Sequence, residues 1–180
     1  VTRMAYEFGI NGNILATDNN LKAEWDAGAL RGSSVFGVSY RHTTEDYYLN
    51  LGPVSVVSLY APSYSYGRFS ATTPSASTYQ TADETGIYLG NTLYLPGSLA
   101  LDISGREDWA QVKTANRLTP SASSEQNDNR FSWRAGLSWL TDSGITPYVS
   151  YTTSFAPVLD TDGHGGVLKP TTGRQLETGV

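Results

Sequence analysis

The sequence predicts an all-β protein, an antiparallel meander that forms part of a transmembrane β-barrel. Three observations support this prediction. Apolar and polar residues alternate with period two in successive segments, which is the pattern of strands with two different faces. The connections between these segments alternate between short and long. Aromatic residues lie close to the ends of the segments, as they do in the girdles of membrane barrels.

The composition is that of a β-rich chain. There are 12 Tyr and 4 Trp against one Met, together with 18 Gly, and aromatic residues favour strands. Charged residues make up 16% of the 180 residues and the net charge is −5, so the chain has neither the charge of a disordered segment nor a basic patch for nucleic acid. The absence of Cys excludes disulfides and thiolate metal sites.

The sequence shows neither the apolar run of a transmembrane helix nor the pattern of a signal peptide. No run approaches the roughly 18 apolar residues of a transmembrane helix, and Val1–Tyr6 does not begin a signal peptide. The final GRQLETGV has strand alternation with no turn after it. We therefore expect residues 1–180 to be an internal piece of a larger protein.

In the first half, Leu21, Ala23 and Trp25 alternate with charged residues before a tight Ala27–Gly28 turn. A second strand is predicted over Val35–His42, with Phe36, Val38 and Tyr40 on one face. The Ser-, Pro- and Tyr-rich stretch from Thr43 to Ala82 is predicted to be a long loop.

In the second half, Thr85–Leu95 is predicted to pair with a strand that starts at Leu99, through a turn at Pro96–Gly97. A polar loop is predicted over Lys113–Asn129. It is followed by the hairpin FSWRAGLSWLTDSGITPYVSYTTSF (Phe131 to Phe155), which turns at Ser143–Gly144. A third loop, Ala156–Thr172, precedes the last strand.

The alternation of short and long connections distinguishes a membrane barrel from other all-β folds. Barrels of the outer membrane have short periplasmic turns and longer extracellular loops. Phe131 and Trp139 are eight residues apart, roughly 26 Å along a strand and about 20 Å along the membrane normal after tilting. This separation approaches the apolar band of about 25 Å between two aromatic girdles. A soluble β-sandwich or meander with an aromatic core remains the alternative.

The barrel prediction assigns a face to each alternating side chain. Lipid-facing positions should be apolar and exposed in this segment, whereas Ser132, Arg134, Gly136 and Ser138 should face a wet lumen. The residues predicted to point outward are Leu21, Trp25, Phe36, Val38, Ile87, Leu89, Leu101, Ile103, Leu137, Trp139 and Val149.

Several motifs resemble those of TonB-dependent siderophore receptors. They are FSWRAGLSWLTDSGITPYVSYTTSFAPV, the later GVLKPTTGRQLETGV, TGIYLGNTLYLPGSLALDISGREDW, and LYAP (Leu59 to Pro62), which is similar to the L-Y-x-P of ferrichrome-type receptors. The chain departs from the family at Gly90 and Asn91, where a Gln-Asp pair is usual. The family's polar pair faces the lumen, so Gly90 and Asn91 are expected to do so here.

The resemblance implies a 22-stranded outer-membrane barrel around an N-terminal plug, of which this chain would supply about seven strands. Residues 1–180 would be an internal segment of that barrel, without the plug and the barrel ends. It also implies uptake of a ferric siderophore, energised by the TonB complex through the plug, with outer-membrane lipid around the barrel and no cofactor beyond the transported ligand. The alternatives are TonB-dependent uptake of another bulky nutrient, such as a cobalamin or a glycan, and a structural or adhesive β-protein without transport.

Tyr60 is the candidate ligand-binding residue. The resemblance places the aromatic ring of L-Y-x-P against the siderophore, and an aromatic ring suits the largely apolar shell of a ferric hydroxamate. Packing within the loop is the alternative. Tyr47, Tyr48, Tyr64 and Tyr66 lie in the same predicted loop and are interpreted as packing or girdle residues.

No catalytic or metal-binding motif accompanies these features. DTDGHGG (Asp160 to Gly166) resembles a calcium loop, but the twelfth position is Thr171 rather than Glu. His42 and His164 are isolated in sequence, and no nucleophile motif or phosphate loop occurs. The chain is therefore predicted not to be an enzyme.

The carboxylates of Asp102 and Asp108 are expected to pair with arginines of the lumen. Counting back from the predicted Lys113–Asn129 loop places Asp108 opposite Arg134 on the neighbouring strand, close enough for a cross-strand ion pair. A register shifted by two residues would instead place Arg134 opposite Arg106, an unfavourable opposition.

Overall fold

A computed structural model describes residues 3–54, 58, 60–61, 71–156, 158 and 168–180. It contains one seven-stranded sheet in which every strand lies next to its neighbours in sequence. The antiparallel meander predicted from the sequence is confirmed. The strands are β1 (Arg3–Ala27), β2 (Leu30–Val54), β3 (Thr73–Leu95), β4 (Leu99–Asn116), β5 (Ser124–Trp139), β6 (Tyr148–Ala156) and β7 (Thr171–Gly179).

The three short turns lie where the sequence predicts them. Gly28, Gly97 and Gly144 have φ values of 65°, 83° and 80°, a conformation that glycine adopts without the steric cost of a Cβ. The third connection is longer than its four-residue turn, because β6 begins only at Tyr148. The Trp139 N–H donates to the Pro147 carbonyl (2.9 Å) and closes this connection.

Two of the predicted long loops are wrong. β2 continues to Val54 and β3 begins at Thr73, so most of the predicted Thr43–Ala82 loop is strand. Likewise β4 and β5 occupy most of the predicted Lys113–Asn129 loop and leave a short connection with a 3₁₀ helix at Pro120–Ala122. Strands wetted on both faces need no apolar alternation, so their sequences resemble loops.

The two faces of the sheet differ in the predicted sense. Nine of the eleven side chains predicted to point outward are exposed, for example Leu21 at 76% and Trp139 at 54%, whereas Trp25 and Leu101 are partly exposed. We call this exposed set the apolar face. A sheet face with so many exposed large apolar side chains is unusual in a soluble monomer.

The described residues do not enclose a hydrophobic core. The buried apolar side chains are small: Ala71, Ala82, Ala100, Ala110 and Val112. No large side chain is fully buried in the part of the chain that the structure describes. The sandwich alternative required a second sheet packed on the first, which these residues do not form. Within the described residues, no helix is long and apolar enough to cross a membrane.

The chain divides into two compact units. The first contains Val1–Ile14, Thr43–Thr81 and Val112–Glu125, and the second contains Leu15–His42, Ala82–Gln111 and Gln126–Val180. In the first unit, the Arg117 N–H donates to the Ser77 carbonyl (2.9 Å). In the second unit, the Leu140 N–H donates to the Ser98 carbonyl (2.7 Å). This hydrogen bond joins the β3–β4 turn to the β5–β6 connection.

Candidate functional site

The face opposite the apolar one carries a network of polar side chains in the second unit, which we call the polar face. The Tyr88 hydroxyl donates to the Asp18 carboxylate (2.6 Å). Arg106 donates to Asp108 through Nε (2.6 Å) and to the Ser39 hydroxyl through Nη2 (2.7 Å). Because these residues alternate with the exposed apolar side chains, the pleat of the strands places them together on one face.

Two glycines make room for this network. A Cβ at Gly37 would overlap the ring of Tyr88, and a Cβ at Gly86 would overlap the guanidinium of Arg106. The Arg106 guanidinium also lies over the Tyr88 ring, 5.6 Å from its centroid, within cation–π range. The two large side chains therefore lie flat against the sheet.

The network borders a recess of about 650 Å³. Arg41 and Glu84 both line it and form an ion pair (2.6 Å), with the Glu84 side chain 25% exposed. Arg106 and Asp108 line it as a second ion pair, with the Asp108 side chain 21% exposed. With its charges paired in this way, the recess offers a polar ligand hydrogen-bond donors and acceptors rather than a strong field of one sign.

Below the recess, the polar face continues with smaller groups. The Thr92 hydroxyl donates to Asp102 (2.6 Å), so the expectation that Asp102 pairs with an arginine is wrong. The expectation that Asp108 pairs with an arginine is confirmed, and its partner is Arg106. On β6 and β7, the Tyr148 hydroxyl donates to Glu177 (2.7 Å). Gly136 and Ser150 are register partners, and Ser150 is buried.

The predicted Asp108–Arg134 pair is wrong, because Asp108 binds Arg106 of its own strand. The Gln111 amide donates to Asn127 (3.0 Å), and Lys113 lies 3.9 Å from Glu125. Counting from either contact places Asp108 beside Arg130, four residues from the predicted partner. The error follows from the predicted loop, since a short connection moves the register of the whole hairpin.

Tyr60 lies among the few described residues between Val54 and Ala71. Its ring is fully exposed, and its N–H donates to the Ser58 hydroxyl (3.3 Å). The side chain therefore does not pack against the described part of the chain. Tyr64 and Tyr66 lie outside the described residues. Tyr47 and Tyr48 belong to β2, and the Tyr48 ring lies over Gly9.

The remaining candidates have different outcomes. His42 is not isolated, because its Nδ1 lies 2.8 Å from the Asp83 carboxylate of β3.

Asn91 lies on the same face as Trp25. The Trp25 indole donates to the Ser34 hydroxyl (3.0 Å), and the Ser34 hydroxyl donates to Asn91 (2.6 Å). Asn91 therefore lies on the apolar face and does not face the lumen. The DTDGHGG loop and His164 lie outside the described residues. Among the residues that the structure does describe, none cluster as metal ligands.

Sequence reasoning singled out none of Asp18, Arg41, Glu84 and Tyr88. A signal for them exists in the sequence: Gly37 and Gly86 occupy polar-face positions, and large side chains on neighbouring strands cover them. Finding those neighbours needs the register, which the sequence alone left open.

The chain is similar in sequence to receptors for siderophores. The chain is 32% identical over 177 residues to the "Ferrioxamine receptor" of Yersinia enterocolitica, covering 93% of this chain and 24% of that protein. It is 29% identical over 172 residues to the "Ferrichrome outer membrane transporter/phage receptor" of Escherichia coli K12, covering 92% and 23%. The chain thus spans about a quarter of the length of these relatives.

Solved structures share the fold at lower identity. The ferric citrate transporter FecA in its unliganded form superposes with a TM-score of 0.80 at 15% identity, covering 97% of this chain and 26% of that one. BauA, the ferric preacinetobactin receptor of Acinetobacter baumannii, gives 0.70 at 16% identity, covering 98% and 27%. The family model described as "TonB dependent receptor-like, beta-barrel" matches residues 3–180. The chain therefore belongs to the TonB-dependent receptor-like β-barrel family.

Proposed function

We propose that this chain is part of the barrel wall of an outer-membrane receptor that takes up a ferric siderophore, energised through TonB. The observation that carries the proposal is the 32% identity to a ferrioxamine receptor across 93% of the chain. The complete protein would be a 22-stranded barrel with a plug, and 1–180 would be an internal segment of it.

The two faces of the sheet support an outer-membrane location. The apolar face would contact lipid, where an exposed Ile103 or Leu89 is stable. The polar face would line the lumen, where Arg41, Glu84 and Arg106 remain hydrated. A lumen wall of paired charges and hydroxyls suits passage of a ligand that must bind and then be released.

The exposed ring of Tyr60 supports a role for this residue in ligand contact. A fully exposed ring is available to pack against the apolar shell of a ferric hydroxamate, and burial of an aromatic ring at an interface contributes strongly to binding. The proposal does not involve catalysis, nucleic acid or a resident cofactor.

Growth and uptake measurements on the complete receptor test the proposal. A strain lacking the gene should lose growth under iron starvation with one purified ferric hydroxamate as iron source, and the intact gene should restore it. Radioactive iron uptake should depend on TonB. Normal iron uptake in the deletion strain, combined with lost uptake of a cobalamin or a glycan, would favour the other nutrient class.

A further inference from the structure

One end of β1 carries a row of exposed apolar side chains. Met4, Tyr6, Phe8 and Ile10 are between 50% and 67% exposed. They occupy every second position of the strand, so they project from the same face. Glu7 lies between them and projects from the opposite face. This end of β1 therefore has one apolar face that is open to solvent.

Two ring contacts indicate the register of β1 and β2. The Tyr48 ring lies over Gly9, and the Trp25 ring lies over Gly32. The same number of residues separates Gly9 from Trp25 on β1 and Gly32 from Tyr48 on β2. Both contacts therefore follow from a single register that begins at the Gly28 turn, and it assigns each residue of β1 a neighbour on β2.

This register gives the apolar side chains of β1 apolar neighbours on β2. Opposed residues of two antiparallel strands project from the same face, about 5 Å apart. The apolar run ends at the next pair, where Gly12 lies opposite the charged Glu45. We call the resulting surface the β1–β2 strip, and its opposed pairs are Met4 and Pro53, Tyr6 and Leu51, Phe8 and Leu49, and Ile10 and Tyr47.

By strand alternation, the β1–β2 strip has the side-chain parity of the polar face. β2 is one unbroken strand from Leu30 to Val54, so Leu49 has the parity of Ser39 and not that of Phe36. Ser39 accepts a hydrogen bond from Arg106 on the polar face, whereas Phe36 is exposed on the apolar face. In the proposed receptor the strip therefore borders the water-filled entrance and does not contact lipid.

The strip lies beyond the part of the hairpin that crosses the membrane. A barrel strand needs about 9–11 residues to cross, whereas β1 and β2 each have 25. The turn at Gly28 is short and the connection after Val54 is long, and long connections of outer-membrane barrels are extracellular. Tyr60 follows Val54 by six residues, a reach of roughly 20 Å. The upper end of the strip is therefore continuous with the proposed ligand contact.

The length, width and chemistry of the strip match one extended hydrocarbon chain. From Met4 to Ile10 the strand rises about 20 Å, and one lipid acyl chain spans about 15 Å, half of the hydrocarbon core of a bilayer. The strip is two strands wide, and neighbouring strands are only about 5 Å apart. None of its eight residues is charged. An apolar surface of this kind beside water is typical of a site that an apolar ligand covers.

We propose that the β1–β2 strip binds the fatty-acyl tail of an amphiphilic ferric siderophore, while Tyr60 contacts its iron-binding head. This inference rests on the proposed function and narrows its substrate class to ferric hydroxamates that carry an acyl tail. Each buried methylene group strengthens binding by about threefold to fourfold. Burial of only a few methylene groups along the strip therefore strengthens binding by about 30-fold.

The test compares two ferric hydroxamates that differ only in their tail. Ferrioxamine B has a free terminal amine, which is acylated with either an acetyl or a dodecanoyl group. Both derivatives are titrated into the full-length receptor in lipid nanodiscs, and partition into the lipid is subtracted with receptor-free nanodiscs. The wild-type receptor should bind the dodecanoyl derivative about 30-fold more tightly than the acetyl derivative.

Variants of the hairpin locate the tail. Phe8→Ser and Ile10→Ser should each reduce the preference for the dodecanoyl derivative by about fivefold to tenfold, since each removes one large apolar contact. Both variants should bind the acetyl derivative normally, which also shows that they are folded. Tyr48→Ser is the matched control, because Tyr48 is exposed on the opposite face of the same hairpin, and it should retain the full preference.

Three results would overturn the inference: equal affinity of the wild-type receptor for both derivatives, a full preference in both strip variants, or an equal loss of preference in Tyr48→Ser. The acetyl derivative reports on the proposed function separately. A receptor that binds neither derivative nor any other ferric hydroxamate contradicts the proposed function, and this inference with it. A receptor that binds the acetyl derivative without any preference for the tail contradicts only this inference.

Discussion

Arg117 and Asp46 form a two-point ion pair in the first unit, with Nη1 2.6 Å from Oδ1 and Nη2 2.9 Å from Oδ2. The Arg117 guanidinium also lies 5.5 Å from the centroid of the Tyr79 ring. One side chain on the β4–β5 connection thus contacts both β2 and β3. Such a fork-shaped contact fixes geometry better than a single ion pair does.

Arg117→Lys should loosen the β4–β5 connection while leaving the charge in place. Lys cannot make the two parallel hydrogen bonds to Asp46. Hydrogen exchange of the full-length receptor should become faster over residues 113–125 and stay unchanged in the turns at Gly28, Gly97 and Gly144. Lys22→Arg is the control, because Lys22 forms an exposed ion pair with Glu24 of its own strand. Unchanged exchange in residues 113–125 would show that the main-chain contact to Ser77 suffices.

The same pair should respond to acid. The hydrogen bond from Arg117 lowers the pKa of Asp46 below its ordinary value of 3.8. A lowered folded-state pKa gives stabilisation that is complete above the ordinary value and is lost as the pH falls through the lowered one. Protection of residues 113–125 from exchange should therefore hold between pH 7 and 5 and decrease below about 4. In Asp46→Asn the decrease attributable to this pair should be absent.

Tyr60→Ala should weaken siderophore binding without reducing the amount of receptor in the outer membrane. The exposed ring makes no packing contact with the described chain, so its removal costs ligand contact only. A loss of about fivefold to tenfold in affinity is expected for one aromatic contact. Tyr60→Phe should retain most of the affinity. Binding by ligand titration and abundance by immunoblot are measured together, and normal affinity in Tyr60→Ala would exclude the ligand role.

Gly86→Ala should disrupt the charged network of the polar face. The new Cβ would overlap the guanidinium of Arg106, which must then leave Asp108 and Ser39. Because the displaced atoms are the end of a flexible side chain, the cost should be about 1 kcal/mol, at the lower limit for overpacking. Gly90→Ala is a matched control, since its Cβ would lie 3.6 Å from Ser104 Cβ, an ordinary contact. Urea unfolding of the reconstituted receptor should separate the two variants, and equal midpoints would contradict the expected overlap.

The lipid-facing assignment predicts opposite outcomes for adjacent residues. Ile103 is exposed on the apolar face and Ser104 lies on the other face. Ile103→Arg should destabilise the receptor in lipid vesicles by about 2–4 kcal/mol, whereas Ser104→Arg should be tolerated because the lumen is wet. Folding yield over a urea series measures both variants. Equal tolerance of the two arginines would mean that the apolar face does not contact lipid.

The amino-acid sequence by itself determined the parts of this protein that lie within the membrane band. The alternation around Phe36, Leu89 and Leu137 assigns each side chain to a face, because a strand with one face in lipid and one in water must alternate. Gly28, Gly97 and Gly144 mark the turns, since each needs a positive φ. These signals are local and can be read without knowing any neighbour.

Only the tertiary structure decided how far the strands extend and which residues meet. Residues 43–54 and 73–82 lack the strict apolar alternation of the other segments, and only pairing with neighbours distinguishes them from loops. The register of Asp108, the His42–Asp83 contact and the Arg117–Asp46 pair all follow from that extension. A contact between two neighbouring strands depends on the length of the connection that joins them. The sequence specifies each face locally, whereas the register is a property of the assembled sheet.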